Sequence, residues 1–259
     1  ARDDVACSAE GLGDDDTVSF TTAHAVIDGQ LGDVCFGEAD DRLVAAWEAL
    51  AVIAPRGQLA DLGLFGGFEQ PGGGDDVTLA FVNALDDDRT LFQMSVNLDE
   101  AEADPPEAQL TMAHEFAHVF TSLPSQVEYT IEAIDACSTY FNGEGCYTED
   151  SIMWQWIELF WSDGLIDEVA PEGEATADVG QSRCDADPGF FGAYAASTPE
   201  EDFAESFSVY ALGVETFTDE QDERIAWIDA QPGLAEYRAR AAAAGIPAPP
   251  NNFDECGLG

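Results

Sequence analysis

The segment His114-Glu115-Phe116-Ala117-His118 carries residue types at a spacing that metal-dependent chemistry requires. On a helix of 3.6 residues per turn, positions i and i+4 lie one above the other, so both imidazoles reach one ion. Glu115 follows the first imidazole and leans over the place of an activated water. Zinc brings the pKa of such a water down toward about 7, and a neighbouring carboxylate then takes its proton as it attacks a polarised carbonyl. The chemistry is hydrolysis, with the metal as Lewis acid and Glu115 as general base. The chain has 3 His in 259 residues, so a chance match has a probability on the order of a few in a thousand.

A catalytic zinc takes a third protein ligand and keeps one position open. The glycine and histidine that metzincins place after the motif are absent, their positions holding Thr121 and Pro124. His24, the remaining histidine, falls in a strand-like run and reads as a core or surface residue. A carboxylate is therefore expected, and two acidic patterns compete: Glu174 with Asp178 in EATAD, and Glu201 with Glu205 in EEDFAE. The second sits on a strongly apolar helix with Phe203, Phe207 and Tyr210 as anchors, whereas EATAD lies in a polar stretch without an apolar face. Thr198-x-x-Glu201 is also a capping box, a structural use for the same glutamate. Glu201, Glu205 and Glu174 all remain candidates on spacing.

These residues need elements to hold them. Asp104 as N-cap, Pro105 at the first position and Glu107 three residues after the cap predict a helix start, and periodicity continues through the motif until Pro124. A second helix is predicted from Pro199 to about Leu212, with Thr198 as N-cap and Gly213 as stop. Ahead of them, 17–27 reads as a strand, and 38–54 as a helix presenting Leu43, Ala46, Trp47, Leu50 and Ile53. A glycine-rich loop at 66–74 leads to strand-like runs at 76–85 and 90–98, joined by the short connector DDDR. TLFQMSVNL, the strand nearest the metal helix in sequence, is expected to offer an edge to an extended substrate. The stretch 125–190 reads as an insert with a short cysteine loop, a Trp-rich helix at 151–161 and a polar connector. Trp154, Trp156 and Trp161 are read as core rather than cleft. Residues 220–244 form two helices broken near Pro232-Gly233, and the tail from Pro247 is loop.

Composition narrows the partners. Asp and Glu number 53 against 8 basic residues, all Arg, for a formal net charge of −45. Such carboxylates first keep the chain solvated rather than recognise a partner; the surface repels phosphate backbones and anionic lipid, so neither nucleic acid nor a membrane is expected as partner, whereas basic peptides and cations are better suited. No run of 18 apolar residues spans a bilayer. Asp14-Asp15-Asp16 and Asp86-Asp87-Asp88 are the calcium candidates, and neither has the alternating spacing of a calcium loop. Six cysteines without a C-x-x-C pair predict three disulfides and an oxidising compartment. Pairing sequence neighbours gives Cys7 with Cys35, Cys137 with Cys146 and Cys184 with Cys256. The opening residues lack an export signal, as expected of a mature secreted, extracellular chain.

HEFAH, followed by TYFNGEGCYTEDSIMWQWIELFW and then YAASTPEEDFAES, resembles a group of secreted bacterial zinc metallopeptidases. A looser likeness extends to the zinc protease domain of anthrax lethal factor, where a tyrosine stands seven residues before the ligand glutamate and an acidic residue four after it. Tyr194, Glu201 and Glu205 reproduce those offsets. The resemblance covers about residues 105–215 and implies a gluzincin, with His114, His118 and Glu201 as zinc ligands. It further implies Glu205 as the partner that orients a ligand, and Tyr194 as a phenol donating to the developing oxyanion.

The expected fold class is α+β, zincin-like: a mixed N-terminal sheet, the HExxH helix and a helical C-terminal half. One catalytic domain spans 1–259, with lobes of about 1–123 and 124–259. The expected function is a monomeric zinc-dependent endopeptidase acting on peptide or protein substrates. A zinc-binding module without turnover and an acidic cation-binding structural protein are the alternatives.

Overall fold

The structure, a computed structural model, describes residues 18–70, 77–131, 134–162, 164–169 and 175–257. Its first half builds a five-stranded sheet. Strands β1 (Ser19–Ile27) and β2 (Gln30–Gly37) form a hairpin, helices α1 (Asp41–Ile53) and α2 (Arg56–Leu59) follow, and the chain returns through β3 (Leu62–Glu69). β4 (Ala80–Ala84) and β5 (Phe92–Asn97) then make a second hairpin. The strand order is β2-β1-β3-β5-β4, with β3 and β5 parallel and every other neighbour antiparallel. The sheet is mixed, as expected for an α+β chain.

This order corrects the expectation for residues 90–98. β5 lies between β3 and β4, bonded on both sides, and the edge is β4. The connector does make a hairpin, but the chain runs outward to β4 first and comes back inward, so the strand nearer in sequence to the metal helix is the interior one. Asp86 caps that turn, its carboxylate accepting from the Thr90 amide at 2.6 Å and the Leu91 amide at 3.2 Å. Asp14–Asp16 lie outside the described residues.

Asn97 ends β5 and caps α3 (Leu98–Ala103), a short helix that begins at the last residue of the strand-like run. Asp104 then accepts from the Glu107 amide at 3.2 Å and opens α4 (Pro105–Thr121), which carries the HExxH segment. Leu110, Phe116, Ala117, Val119 and Phe120 are buried along it. The small strands β6 (Val127–Glu128) and β7 (Cys146–Tyr147) frame the cysteine loop, and Cys137 is bonded to Cys146. Helices α5 (Ile152–Phe160), α6 (Ala177–Ala186), α7 (Gly192–Ala195), α8 (Pro199–Leu212), α9 (Asp219–Asp229) and α10 (Ala235–Ala244) complete the described chain. α6 is a helix where a polar connector was expected; it has a Thr176 cap but almost no apolar periodicity to announce it.

α4 and α8 pack face to face and carry the aromatic centre of the core. Phe120 meets Phe203 and Phe207 edge-on at 6.1 and 5.1 Å, and Tyr237 of α10 closes on Phe207 at 4.9 Å. α8 stops at Gly213, whose φ of 70° is the left-handed conformation that glycine adopts without a Cβ clash. Trp156 and Trp161 are fully buried, in line with the core reading, while Trp154 is half-buried. Cys184 is bonded to Cys256. Cys35 is disulfide-bonded as well, and its expected partner Cys7 lies outside the described residues.

Candidate metal centre

α4 presents His114 and His118 on one face, one turn apart, and α8 brings Glu201 against them from its first turn. The Nε2 atoms of the two imidazoles stand 3.1 Å apart. Glu201 Oε2 lies 3.0 Å from His114 Nε2 and 3.5 Å from His118 Nε2. Among the described residues this is the one group of three or more His, Cys, Asp or Glu side chains that converge closely enough to hold a metal ion.

The dimensions fit zinc. Tetrahedral ligands at the usual zinc distances stand about 3.3 Å apart, close to all three edges of this triangle. The chemistry of the donors fits as well. Glu201 Oε2 is buried, and no hydrogen-bond donor is aimed at it despite the two nearby nitrogens. With each ring's proton on Nδ1, two imidazole nitrogens facing each other and a carboxylate oxygen turn three lone pairs to one point, an arrangement suited to a cation at its centre.

Without a metal, protons take that place. Burial alone would push both imidazoles down. Glu205 and Glu201 outweigh it and hold His114 well above the usual histidine range, and Glu201 raises His118 above its ordinary value. Burial would raise Glu201, yet His118 and His114 draw it far below the usual carboxylate range. Glu205 Oε1 stands 3.4 Å from His114 Nδ1, on the ring side away from the triangle. A carboxylate there fixes the imidazole's tautomer and orientation.

Glu115 and Tyr194 border the same space. Burial raises the Glu115 carboxyl above its ordinary range. Tyr194 is 40% exposed, and its ring centroid is 6.1 Å from that of His114. Burial and the nearby Glu201 push its phenol well above the usual tyrosine range.

Both residues line two adjoining cavities. One, of about 740 Å³, runs from His114 past Leu110, Thr111 and Glu107 to residues 77–80. The other, of about 460 Å³, runs past His118, Ser122 and Glu200 beside residues 80–84. Together they form a cleft along β4. Leu79 O accepts from Asn97 N and Leu85 N donates to Leu91 O, so odd-numbered residues of β4 bond inward to β5. By the alternation of an antiparallel ladder, the main-chain groups of Ala80, Val82 and Ala84 face the cleft.

Of the sequence candidates, the structure thus brings together His114, Glu115, His118, Tyr194, Glu201 and Glu205. Glu174 lies outside the described residues, and Asp178 is exposed on α6. His24 sits in β1 with Nδ1 2.8 Å from Gly32 O and takes no part in the group. Thr198 Oγ1 accepts from the Glu201 amide at 3.3 Å, so the capping box is half used: the backbone of Glu201 serves the cap and its carboxylate the imidazoles.

Two participants had no sequence signal. Glu200 accepts from Tyr147 Oη at 2.9 Å and walls the second cavity. Asp202, fully buried, accepts from Trp156 Nε1 and Trp161 Nε1, both at 2.9 Å, and from Arg224 Nε at 3.2 Å. Their acidity in a chain this acidic marks neither.

Comparison with protein-family models, curated proteins and solved structures returns no match. No helix among the described residues is long and apolar enough to cross a membrane.

Proposed function

We propose that this chain is a secreted, monomeric zinc-dependent endopeptidase of the gluzincin type. The observation that carries the reading is the triangle of His114, His118 and Glu201 with Glu115 and Tyr194 at its rim, beside a strand edge that pairs with no other strand among the described residues. His114, His118 and Glu201 would hold the ion. Bound there, zinc supplies Lewis acidity, polarising a carbonyl and acidifying water to a pKa of about 7.

The remaining work belongs to the chain. Ala80, Val82 and Ala84 pair with an extended peptide and lay it along the cleft. Glu115, raised by burial, takes a proton from the attacking water and passes it to the leaving amine. Tyr194, kept as a neutral phenol, donates its hydrogen to the oxygen that gains charge. Glu205 keeps His114 oriented. The disulfides at Cys137–Cys146 and Cys184–Cys256 suit an extracellular setting. Glu144 is paired with Arg89 at 2.7 Å, which leaves the carboxylates of Glu107, Glu115 and Glu200 along the cleft to favour basic peptides.

The test is elemental analysis of the purified protein together with digestion of a peptide library. One zinc per chain and chelator-sensitive cleavage are expected. Glu115→Gln should keep the zinc and lose about 10²–10⁴-fold in rate. Near wild-type cleavage by that variant removes Glu115 from its role, and a chain that takes up no zinc ends the proposal.

A further inference from the structure

The chain has 8 basic residues and no lysine, yet two of its arginines, Arg183 and Arg224, are buried at 8% and 3% exposure. Both brace α8. Arg224 does so through Asp202, a carboxylate, as an ordinary buried ion pair would. Arg183 makes no carboxylate contact at ion-pair distance among the described residues. Burial outweighs the attraction of Glu168 and leaves its guanidinium below the ordinary arginine range.

Arg183 spends its charge on two main-chain carbonyls. Nε donates to Ala196 O at 2.6 Å, and Nη2 donates to Ser197 O at 2.7 Å. Ala196 closes α7, which carries Tyr194, and Ser197 immediately precedes the Thr198 cap of α8, which carries Glu201. The guanidinium therefore grips the corner between the two.

The base from which it reaches is firm. α6 lies so close to this corner that a Cβ on Gly180 would stand 1.8 Å from Ala193 O and 2.7 Å from Ser197 N. Cys184, the residue after Arg183, is bonded to Cys256, and its carbonyl accepts from Gly257 N at 2.7 Å. The two carbonyls are met by two separate nitrogens of one rigid plane, Nε and Nη2, a spacing that the single nitrogen of an ammonium does not reproduce.

We propose that Arg183 is a positioning residue for the metal centre, setting Tyr194 and Glu201 against the His114–His118 pair by holding the carbonyls of Ala196 and Ser197. The proposal rests on the reading that Tyr194 and Glu201 serve that centre.

Arg183→Lys keeps the charge on a stem one atom shorter and loses the fork. Expected are a cooperative fold, zinc affinity lowered about tenfold in a chelator-competition titration, and amide hydrogen exchange accelerated at least tenfold at residues 194–201 but unchanged in the sheet. On peptide substrate kcat should fall more than KM changes, and the loss should shrink in a Tyr194→Phe background, where the phenol it positions is gone. Unchanged exchange at 194–201 with zinc affinity within twofold of wild type overturns the proposal, as does a loss spread evenly over the chain. Equal kcat losses in both backgrounds overturn its Tyr194 half.

If the lysine variant does not fold, Arg183→Gln, which keeps an amide donor in place of the guanidinium, must reproduce the local exchange and affinity changes, or the proposal fails. A zinc-loaded wild type that cleaves no peptide overturns the peptidase reading, while exchange and zinc affinity still decide whether Arg183 positions the ligand.

Discussion

The metal-free centre should make stability fall as pH rises, and zinc should abolish that slope. His114 and His118 have folded pKa values above the ordinary histidine value. A group raised in the folded state stabilises fully below its unfolded pKa, about 6.5 for histidine, and loses that contribution as pH climbs through the folded value. The two Nε2 atoms are 3.1 Å apart, so a proton shared between them is the smallest uptake the geometry requires. One proton held by the native state and not the unfolded one costs about 1.4 kcal/mol of stability per pH unit. The unfolded histidines still hold part of that proton near pH 6.5, so chelator-treated protein should lose about 0.7 kcal/mol between pH 6.5 and 7.5, the slope steepening toward about 1.4 kcal/mol per unit above that. The depressed Glu201 acts only in acid, below the unfolded glutamate range, and does not enter this window. Zinc displaces the protons, and at a free concentration 100 times its Kd it adds about 2.7 kcal/mol. The assay is urea unfolding by tryptophan fluorescence at fixed ionic strength, with and without chelator. The blank is a variant carrying His114→Gln and His118→Gln, which retains Glu115 and Glu200, carboxyls that burial also raises. Equal slopes for the blank and the chelated wild type would refute the reasoning.

Glu201→Ala should all but remove zinc binding, whereas Glu205→Ala, which only frees the far side of His114, should weaken it about 10 to 100-fold; the reverse order in a competition titration would exchange their roles. Tyr194→Phe should retain zinc and raise the barrier by about 2 to 4 kcal/mol, read as kcat on a fixed peptide, if the phenol donates to the oxyanion. Asp202→Ala strips a carboxylate from two indoles and a buried arginine and should cost about 3 to 5 kcal/mol in urea unfolding; a loss below about 1 kcal/mol would mean that Arg224 finds other partners.

How much of this could be read from sequence follows from the range of each interaction. His114, Glu115 and His118 lie within one and a half turns of one helix, so spacing alone places them. Helix starts were equally legible, because Asp104 and Thr198 act on amides three residues away. Strand order is another matter. Nothing in residues 76–98 states that β3 pairs with β5 in parallel across an intervening hairpin, and that pairing alone makes β4 the edge. Glu201 stood between: its helix was evident, but only a partner 83 residues away in sequence (201 − 118) decides between capping and metal binding. α6 stayed hidden because its contacts run through Gly180 and Arg183 rather than an apolar stripe.

The start of α8 shows why such information concentrates in so few residues. Glu200, Glu201 and Asp202 follow one another, and about 100° of helical turn separates each from the next. That rotation sends three similar carboxylates to three different parts of the molecule. Glu200 meets Tyr147 beside the cysteine loop, Glu201 meets the imidazoles of α4, and Asp202 meets the indoles of α5 and its C-cap together with Arg224 of α9. Rotating α8 by one residue would exchange these destinations and put a carboxylate against the wrong partner at each. Asp202 is the member with least freedom, since it is fully buried and meets its donors at 2.9 and 3.2 Å. With Asp202 fixed in the core, Glu201 faces the imidazoles and Glu200 faces the cleft. The candidate metal centre is thus aligned from behind, by a core carboxylate that touches none of His114, His118 and Glu201, and from the side, by the arginine that grips the corner before the helix begins.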